Sequence, residues 1–242
     1  MAFLKSEDIH SDNDAHTGQR STNLNSLRAA VLGANDGIVS VASIVLGVAA
    51  ATDSRGAIFT AGLAGLVAGA LSMAVGEYVS VSTQRDTERA YIQHEKWELR
   101  TKPSEELVEL ADMYEAKGLS AKTAKQVAQE LTAKDALKAH LSVELNIDEQ
   151  DLTNPLQAAI ASLFSFTVGA LIPLLSIIFV AVHLRFPVTF VAVIAALILT
   201  GYLSATVGGA SRRRAILRVV VGGALAMIVT YAVGYLFGTA IG

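Results

Sequence analysis

A carboxylate lies inside the first long hydrophobic run of this chain. The run carries polar or small residues at i, i+4, i+7 and i+11, one face of a helix, namely Asp36, Ser40, Ser43 and Gly47. An acidic side chain at membrane depth costs about 2.5–3.5 kcal/mol on insertion scales, so such residues usually face a cavity, a partner or an ion. We therefore expect Asp36 to line a route for a metal ion. The alternative is that it bonds a hydroxyl or an arginine.

The second hydrophobic run repeats this arrangement and adds a sulfur atom. Its polar stripe consists of Met73, Glu77, Ser80 and Gln84. A thioether beside carboxylates suits a borderline divalent ion such as Fe²⁺, whereas Mg²⁺ and Ca²⁺ take oxygen ligands. We predict that Met73 and Glu77 share the metal route with Asp36. Met73 could equally be ordinary apolar filling.

A second group of acids lies between the second and third hydrophobic runs. Glu95 and Glu98 are three residues apart, and Glu106, Glu109 and Asp112 continue with that spacing. Like charges at this spacing repel one another along a helix, so their repetition predicts a bound cation. Surface helices often carry acids beside lysines, and the spacing alone leaves a solvated acidic face as an equal alternative.

The composition indicates a membrane protein. The hydrophobic fraction of the 242 residues is 52% and the charged fraction is 17%, whereas soluble domains are nearer a quarter charged. The absence of cysteine excludes disulfides, thiolate metal sites and cysteine catalysis. The net charge of −3 and the lack of a basic patch argue against a nucleic-acid partner.

Five hydrophobic runs are each long enough to cross about 30 Å of hydrocarbon as a helix. We therefore predict an all-α, polytopic membrane protein with five transmembrane helices and a cytoplasmic helical insert between the second and third. The predicted segments are a disordered polar tail over 1–25, spans one and two over 26–83, a helical metal-binding insert over 84–153, and spans three to five over 154–242.

Arginines predict the orientation in the bilayer. The 211–218 loop carries four, whereas the two turns on the other side carry one each, Arg55 and Arg185. Because cytoplasmic loops are enriched in Arg and Lys, we place this loop, the insert and the N-terminus in the cytosol. Residues 1–25 lack the apolar core of a secretory signal, so we expect no cleaved leader.

Helix signals divide the insert. The second span is expected to continue to about residue 100, and a helix over 104–117 is expected to end before Gly118. Ser120 is a good N-cap for the next helix. Residues 133–146 form a fourth helix or continue the third.

Three sequence blocks closely resemble the vacuolar iron transporter family. They are LRAAVLGANDGIVSVASIVLGVA (27–49), GLAGLVAGALSMAVGEYVSVSTQRDTERA (62–90) and AAIASLFSFTVGALIPLL (158–175). Members of that family are homodimers with five spans and a cytoplasmic helical metal-binding domain, and they export Fe²⁺, sometimes Mn²⁺, in exchange for protons. The resemblance implies a transporter and no enzyme, with Fe²⁺ or Mn²⁺ as cargo and no cofactor.

The resemblance also assigns ligands. Asp36, Met73 and Glu77 resemble the residues of the translocation path. The carboxylates of the cytoplasmic metal cluster correspond to Glu95, Glu98, Glu106 and Glu109.

The end of the insert departs from the family pattern. Plant members carry a Met-Met pair followed by Glu, whereas this chain has His140 and Leu141 ahead of Glu144. Imidazole can ligate Fe²⁺, so we expect His140 and Glu144 to complete the cluster in an altered form. The replaced pair and the plain N-terminus favour a bacterial inner membrane over a vacuole.

Two other function classes fit parts of the sequence. A membrane-anchored iron buffer or sensor would bind Fe²⁺ at the insert without transport. A di-iron oxidase would need paired Glu-x-x-His motifs, which the insert sequence lacks. We predict a divalent metal exporter, with the buffer as its alternative. Carboxylates must lose their protons to bind a metal, so protons and metal compete and antiport is expected.

Overall fold

The computed structural model of the chain describes residues 7–149 and 152–241, with the side chains of 28–149 and 152–238. Within these residues every regular element is a helix. The α-helices are α1 (Glu7–Ala51), α2 (Arg55–Thr101), α3 (Pro103–Ala116), α4 (Ala121–His140), α5 (Pro155–Phe179), α6 (Arg185–Val207) and α7 (Arg212–Ile241). A π-turn covers Leu141–Leu145, and a 3₁₀ turn covers Val182–Leu184.

The prediction of five membrane-spanning helices is confirmed. The helices long and apolar enough to cross a bilayer are Arg28–Ala51, Arg55–Thr101, Pro155–Phe179, Val182–Val207 and Arg212–Gly238. Helix α2 is longer than a bilayer requires. Its apolar part ends near residue 81, and its remaining turns are charged. A helical segment lies between the second and third spans, as expected.

The first helix begins earlier than expected. We predicted a disordered tail over residues 1–25, but the backbone is helical from Glu7 onward, and residues 1–6 lie outside the described part. No proline interrupts residues 7–27, and extending a helix that has already nucleated costs far less than starting one.

The chain divides into two compact units. The membrane unit comprises residues 25–79 and 155–242, and the helical unit comprises 80–154 with the chain before residue 25. In the membrane unit, each spanning helix contributes to one hydrophobic cluster, through side chains such as Leu46, Leu66, Phe166, Leu197 and Met227.

Glycines bring the helices of the membrane unit into backbone contact. A Cβ on Gly37 would collide with the carbonyl oxygen of Phe166, and one on Gly169 would collide with the carbonyl oxygen of Ala34. Helix α1 therefore approaches α5 as closely as two backbones can, which is the usual function of small residues between membrane helices.

The α1–α2 turn and the connection from α5 to α6 are tied together by two arginines. Arg185, which is 4% exposed, donates from Nη1 to the carbonyl oxygen of Asp53 over 3.0 Å. Arg55 donates in the opposite direction to the carbonyl oxygen of Val180 over 3.4 Å. The two connections therefore lie at the same end of the membrane unit.

The helical unit contains the breaks that its sequence indicates. Gly118 follows α3 with φ +100°, and Ser120 caps α4 by accepting a hydrogen bond from the Thr123 amide. Helix α4 continues past residue 133 but kinks at Asp135, whose carboxylate accepts from the Lys138 amide over 3.0 Å. A small core forms around Leu110.

Candidate metal centre

Three helices and the π-turn of the helical unit bring five potential metal ligands together. Glu95 and Glu98 lie on the charged end of α2, and Glu106 lies in the first turn of α3. His140 is the last residue of α4, and Glu144 follows on the π-turn. We call these five residues the ligand cluster. Its inner members are almost inaccessible, since the exposed fraction is 3% for Glu95, 4% for Glu106 and 0% for His140.

The cluster contains two overlapping sets of ligands. One set consists of Glu95, His140 and Glu144, and the other of Glu95, Glu98 and Glu106. In each set the ligand atoms lie within 4.8 Å of one another, and Glu95 belongs to both. The Nδ1 atom of His140 is 3.1 Å from Glu95 Oε1 and 3.8 Å from Glu106 Oε2. This spacing is small enough for one cation to be reached from several sides.

The innermost polar atoms have no hydrogen-bond partner. Oε1 of Glu95 and both ring nitrogens of His140 are buried and unbonded, and the 3.1 Å approach between the two residues lacks hydrogen-bonding geometry. Leaving a buried donor or acceptor unsatisfied costs about 1–3 kcal/mol. A bound cation would supply the missing partner for the carboxylate and for the imidazole lone pair.

Burial also shifts the protonation of these groups. The loss of solvent, followed by the charges of neighbouring glutamates, raises the pKa of Glu95 to about 7. Loss of solvent likewise raises the pKa of Glu106 and Glu144, and it lowers the pKa of His140. Near neutral pH the imidazole is therefore uncharged and can donate a lone pair, while Glu95 is close to the pH at which it releases its proton.

The π-turn positions the last ligand. It follows directly from α4, and it ends at Asn146, whose φ of 51° is left-handed. Such widened turns occur often at functional sites. Leu141 begins the turn and is 2% exposed, so it fills the interior beside His140 and contributes no ligand atom.

Glu109 lies outside both sets of ligands. It is exposed on α3, where it borders a surface groove that also includes Val108, Asp112 and Met113. Its charge contributes to the raised pKa of Glu95 and Glu106, so it acts on the cluster across space.

A second imidazole at the edge of the cluster was missed by the sequence analysis. Nε2 of His94 is 3.4 Å from Glu98 Oε2, and the ring stacks on Trp97 with centroids 5.9 Å apart. The signal was present, because His94 precedes Glu98 by one helical turn. A Glu-x-x-His pattern covers only a histidine that follows a glutamate, so it does not include His94.

The three predicted ligands of the membrane unit differ in their surroundings. Asp36 is exposed and accepts a 2.7 Å hydrogen bond from the Ser40 hydroxyl. This contact is the one expected under the alternative that Asp36 bonds a hydroxyl. Met73 packs against the hydrophobic cluster, and Glu77 is half-buried. Among the described residues, Asp36 and Glu77 belong to neither set of three ligands.

Comparison with known proteins agrees with the resemblance noted in the sequence. The profile of the VIT family matches residues 27–235. A vacuolar iron transporter of Acanthamoeba castellanii is 44% identical over 215 residues, covering 88% of this chain and 79% of the relative. Vacuolar iron transporter homolog 2.1 of Arabidopsis thaliana is 38% identical, with 88% and 82% covered, and homolog 1 of Oryza sativa subsp. japonica is 42% identical, with 88% and 74% covered. With its five apolar helices and this extent of similarity, the chain belongs to the VIT family of membrane metal transporters.

Proposed function

We propose that this protein exports Fe²⁺ from the cytosol in exchange for protons, with Mn²⁺ as a second cargo. The observation that carries the proposal is the set of buried, unbonded atoms in the ligand cluster, Oε1 of Glu95 and both ring nitrogens of His140. Buried carboxylates and imidazoles are costly unless something neutralises or coordinates them. A divalent cation does both, and the relatives are named iron transporters.

In this mechanism the ligand cluster captures the ion on the cytosolic side. Capture displaces the proton that Glu95 holds up to about pH 7, because a ligating carboxylate must be ionised. The ion then passes Glu77 and Met73 on α2 and leaves past Asp36 on α1. Proton return through the same carboxylates would complete the exchange. Glu109, beside the cluster, attracts the incoming cation by its charge, and His94, next to Glu98, offers it an imidazole lone pair.

The exposure of Asp36 supports a homodimer. On a single chain this carboxylate is uncovered within a spanning helix, where contact with lipid is costly. A second copy covering this face would enclose the route between two chains. We place the helical unit and the N-terminus in the cytosol, since residues 211–218 are rich in arginine. These arginines lie at the start of α7 and not in a loop, as the sequence had suggested. We place the protein in a bacterial inner membrane because His140 and Leu141 replace the Met-Met pair of plant members.

Flux through reconstituted vesicles tests the proposal. Asp36→Ala should abolish Fe²⁺ uptake driven by a pH gradient while leaving metal binding intact, because Asp36 lies outside the ligand cluster. The matched control is Asp53→Asn, which neutralises an exposed acid in the α1–α2 turn and should leave flux unchanged. Undiminished flux in the Asp36→Ala protein would remove Asp36 from the route.

The alternative function, a membrane-anchored iron buffer or sensor, rests on the same cluster. It predicts saturable Fe²⁺ binding with no flux in the unmodified protein. It also predicts that Asp36→Ala changes nothing measurable, whereas Glu95→Gln weakens binding. The two functions therefore separate on the wild-type flux measurement alone.

A further inference from the structure

The two sets of ligands in the cluster differ in chemistry. Glu95, Glu98 and Glu106 supply oxygen atoms alone, whereas the other set replaces one carboxylate by the imidazole of His140. Carboxylate ligands suit Mn²⁺, while imidazole suits iron, nickel, copper and zinc. The preference of a site with nitrogen and oxygen donors generally rises from Mn²⁺ through Fe²⁺ and Co²⁺ to Ni²⁺ and Cu²⁺.

Building on the proposed function, we propose that His140 is a specificity-determining ligand, which makes the cluster favour Fe²⁺ and later first-row ions over Mn²⁺. His140 is fully buried, both of its nitrogens lack a partner, and Nδ1 points at Glu95 and Glu106 from 3.1 and 3.8 Å. These contacts place a nitrogen donor where an incoming ion must reach Glu95.

A purely structural role for His140 fits the contacts poorly. A histidine used for packing normally satisfies at least one ring nitrogen by a hydrogen bond. Here neither nitrogen is bonded, and the neighbouring Leu141, at 2% exposure, already fills the apolar space. The imidazole therefore remains available as a ligand at the centre of the cluster.

The shared carboxylate makes the preference effective. Because Glu95 belongs to both sets, an ion held by His140 also occupies the residue that the all-oxygen set needs. An ion that prefers nitrogen thus lowers the affinity of the second set for Mn²⁺. Loss of the imidazole should leave a carboxylate site that discriminates weakly.

Metal titration of the full-length protein in detergent tests this inference. Co²⁺, followed by its visible absorption, stands in for Fe²⁺, and Mn²⁺ is followed by electron paramagnetic resonance. We expect His140→Gln to weaken Co²⁺ binding at least about tenfold and Mn²⁺ binding less than about threefold, since nitrogen donors favour the later ion. The matched control, His183→Gln in the 3₁₀ turn of the membrane unit, should change neither affinity.

A second measurement, on protein that retains His140, keeps the inference testable if the His140→Gln variant misfolds. Spin-echo modulation from bound Cu²⁺ detects an imidazole nitrogen directly, and we expect it to persist in a His94→Gln protein, in which the exposed imidazole is absent. Its loss there, or an unchanged ratio of Co²⁺ to Mn²⁺ affinity in His140→Gln, would overturn the inference. Fe²⁺ flux that continues alongside either result would leave the transport function standing. A shifted ratio of Co²⁺ to Mn²⁺ affinity in a protein that transports no Fe²⁺ would support the role of His140 and overturn the transport function.

Discussion

The two units of this protein differ in how their buried polar groups are arranged. In the membrane unit the buried guanidinium of Arg185 donates to the Asp53 carbonyl, and Ser176 donates to Thr189 on the next helix. In the helical unit the inner atoms of Glu95 and His140 are bonded to nothing. The membrane unit also buries atoms without a partner, such as Ser43 Oγ, Ser162 Oγ and two guanidinium nitrogens of Arg185, but these lie on different helices. In the helical unit, three unpartnered atoms lie together in one cluster of potential ligands.

This difference separates stability from binding. An unsatisfied, desolvated cluster lowers the stability of the fold that holds it, and such strain persists where function requires it. In the membrane unit, by contrast, the backbone contacts at Gly37 and Gly169 indicate close packing between helices. Removing a charge from the ligand cluster should therefore stabilise the protein while weakening binding, whereas adding a side chain at a close-packed glycine of the membrane unit should destabilise it.

The largest expected effect is at Glu95. A folded-state pKa raised from 4.5 to about 7 favours the protonated form, so the wild type loses stability as pH rises through that range, by about 3 kcal/mol. Glu95→Gln should recover most of this loss at pH 8 and little of it near pH 4.5. Thermal unfolding without metal at both pH values measures the gain.

The same variant should bind Fe²⁺ at least about tenfold more weakly, because a charged ligand shared by both sets is gone. Glu105→Gln is the matched control, since Glu105 is an exposed neighbour on α3. Equal stability of the Glu95→Gln and wild-type proteins at pH 8 would show that the cluster carries no such cost.

A smaller effect is expected in the membrane unit at Gly169. Gly169→Ala forces a Cβ against the Ala34 carbonyl, and overpacking of this kind costs about 1–3 kcal/mol. In the matched variant Gly222→Ala, the new Cβ meets no atom within 4 Å beyond its chain neighbours and the adjacent backbone of its own helix, and the better helix propensity of alanine should raise stability slightly. Comparing the two unfolding temperatures in detergent checks the prediction, and similar values for both would contradict the close contact.

The smallest effect separates the two arginines that join the α1–α2 turn to the connection between α5 and α6. Arg185→Gln removes a buried charged donor and should destabilise the membrane unit by about 1.5 kcal/mol. Arg55→Gln removes an exposed 3.4 Å contact and should cost less than about 0.5 kcal/mol. The same unfolding assay ranks them, and an equal or reversed order would argue against the buried contact.

The sequence sufficed for features that depend on local pattern. Hydrophobic runs located the five spans, and Gly118 and Ser120 marked the breaks around α3 and α4. Acid spacing and family resemblance together picked out Glu95, Glu98, Glu106 and Glu144, which the structure brings together with His140.

Features that depend on contacts between helices escaped it. A repeat of three residues shows which face of a helix an acid occupies, but not the distance to the next helix, so Glu109 seemed equivalent to Glu106. Arg55 and Arg185 were counted as charges, although their guanidinium groups reach carbonyls more than a hundred residues away. The burial of His140 likewise depends on packing that no single helix encodes.

The geometry of the ligand cluster depends on the kink at Asp135, a residue that supplies no ligand atom. Since this carboxylate caps the chain that follows, it sets the direction in which the last turns of α4 and the π-turn leave the bend. Two of the five residues of the cluster, His140 and Glu144, lie on the segment that follows the kink. Substitutions that alter the bend therefore shift two of the five cluster residues without replacing any of them.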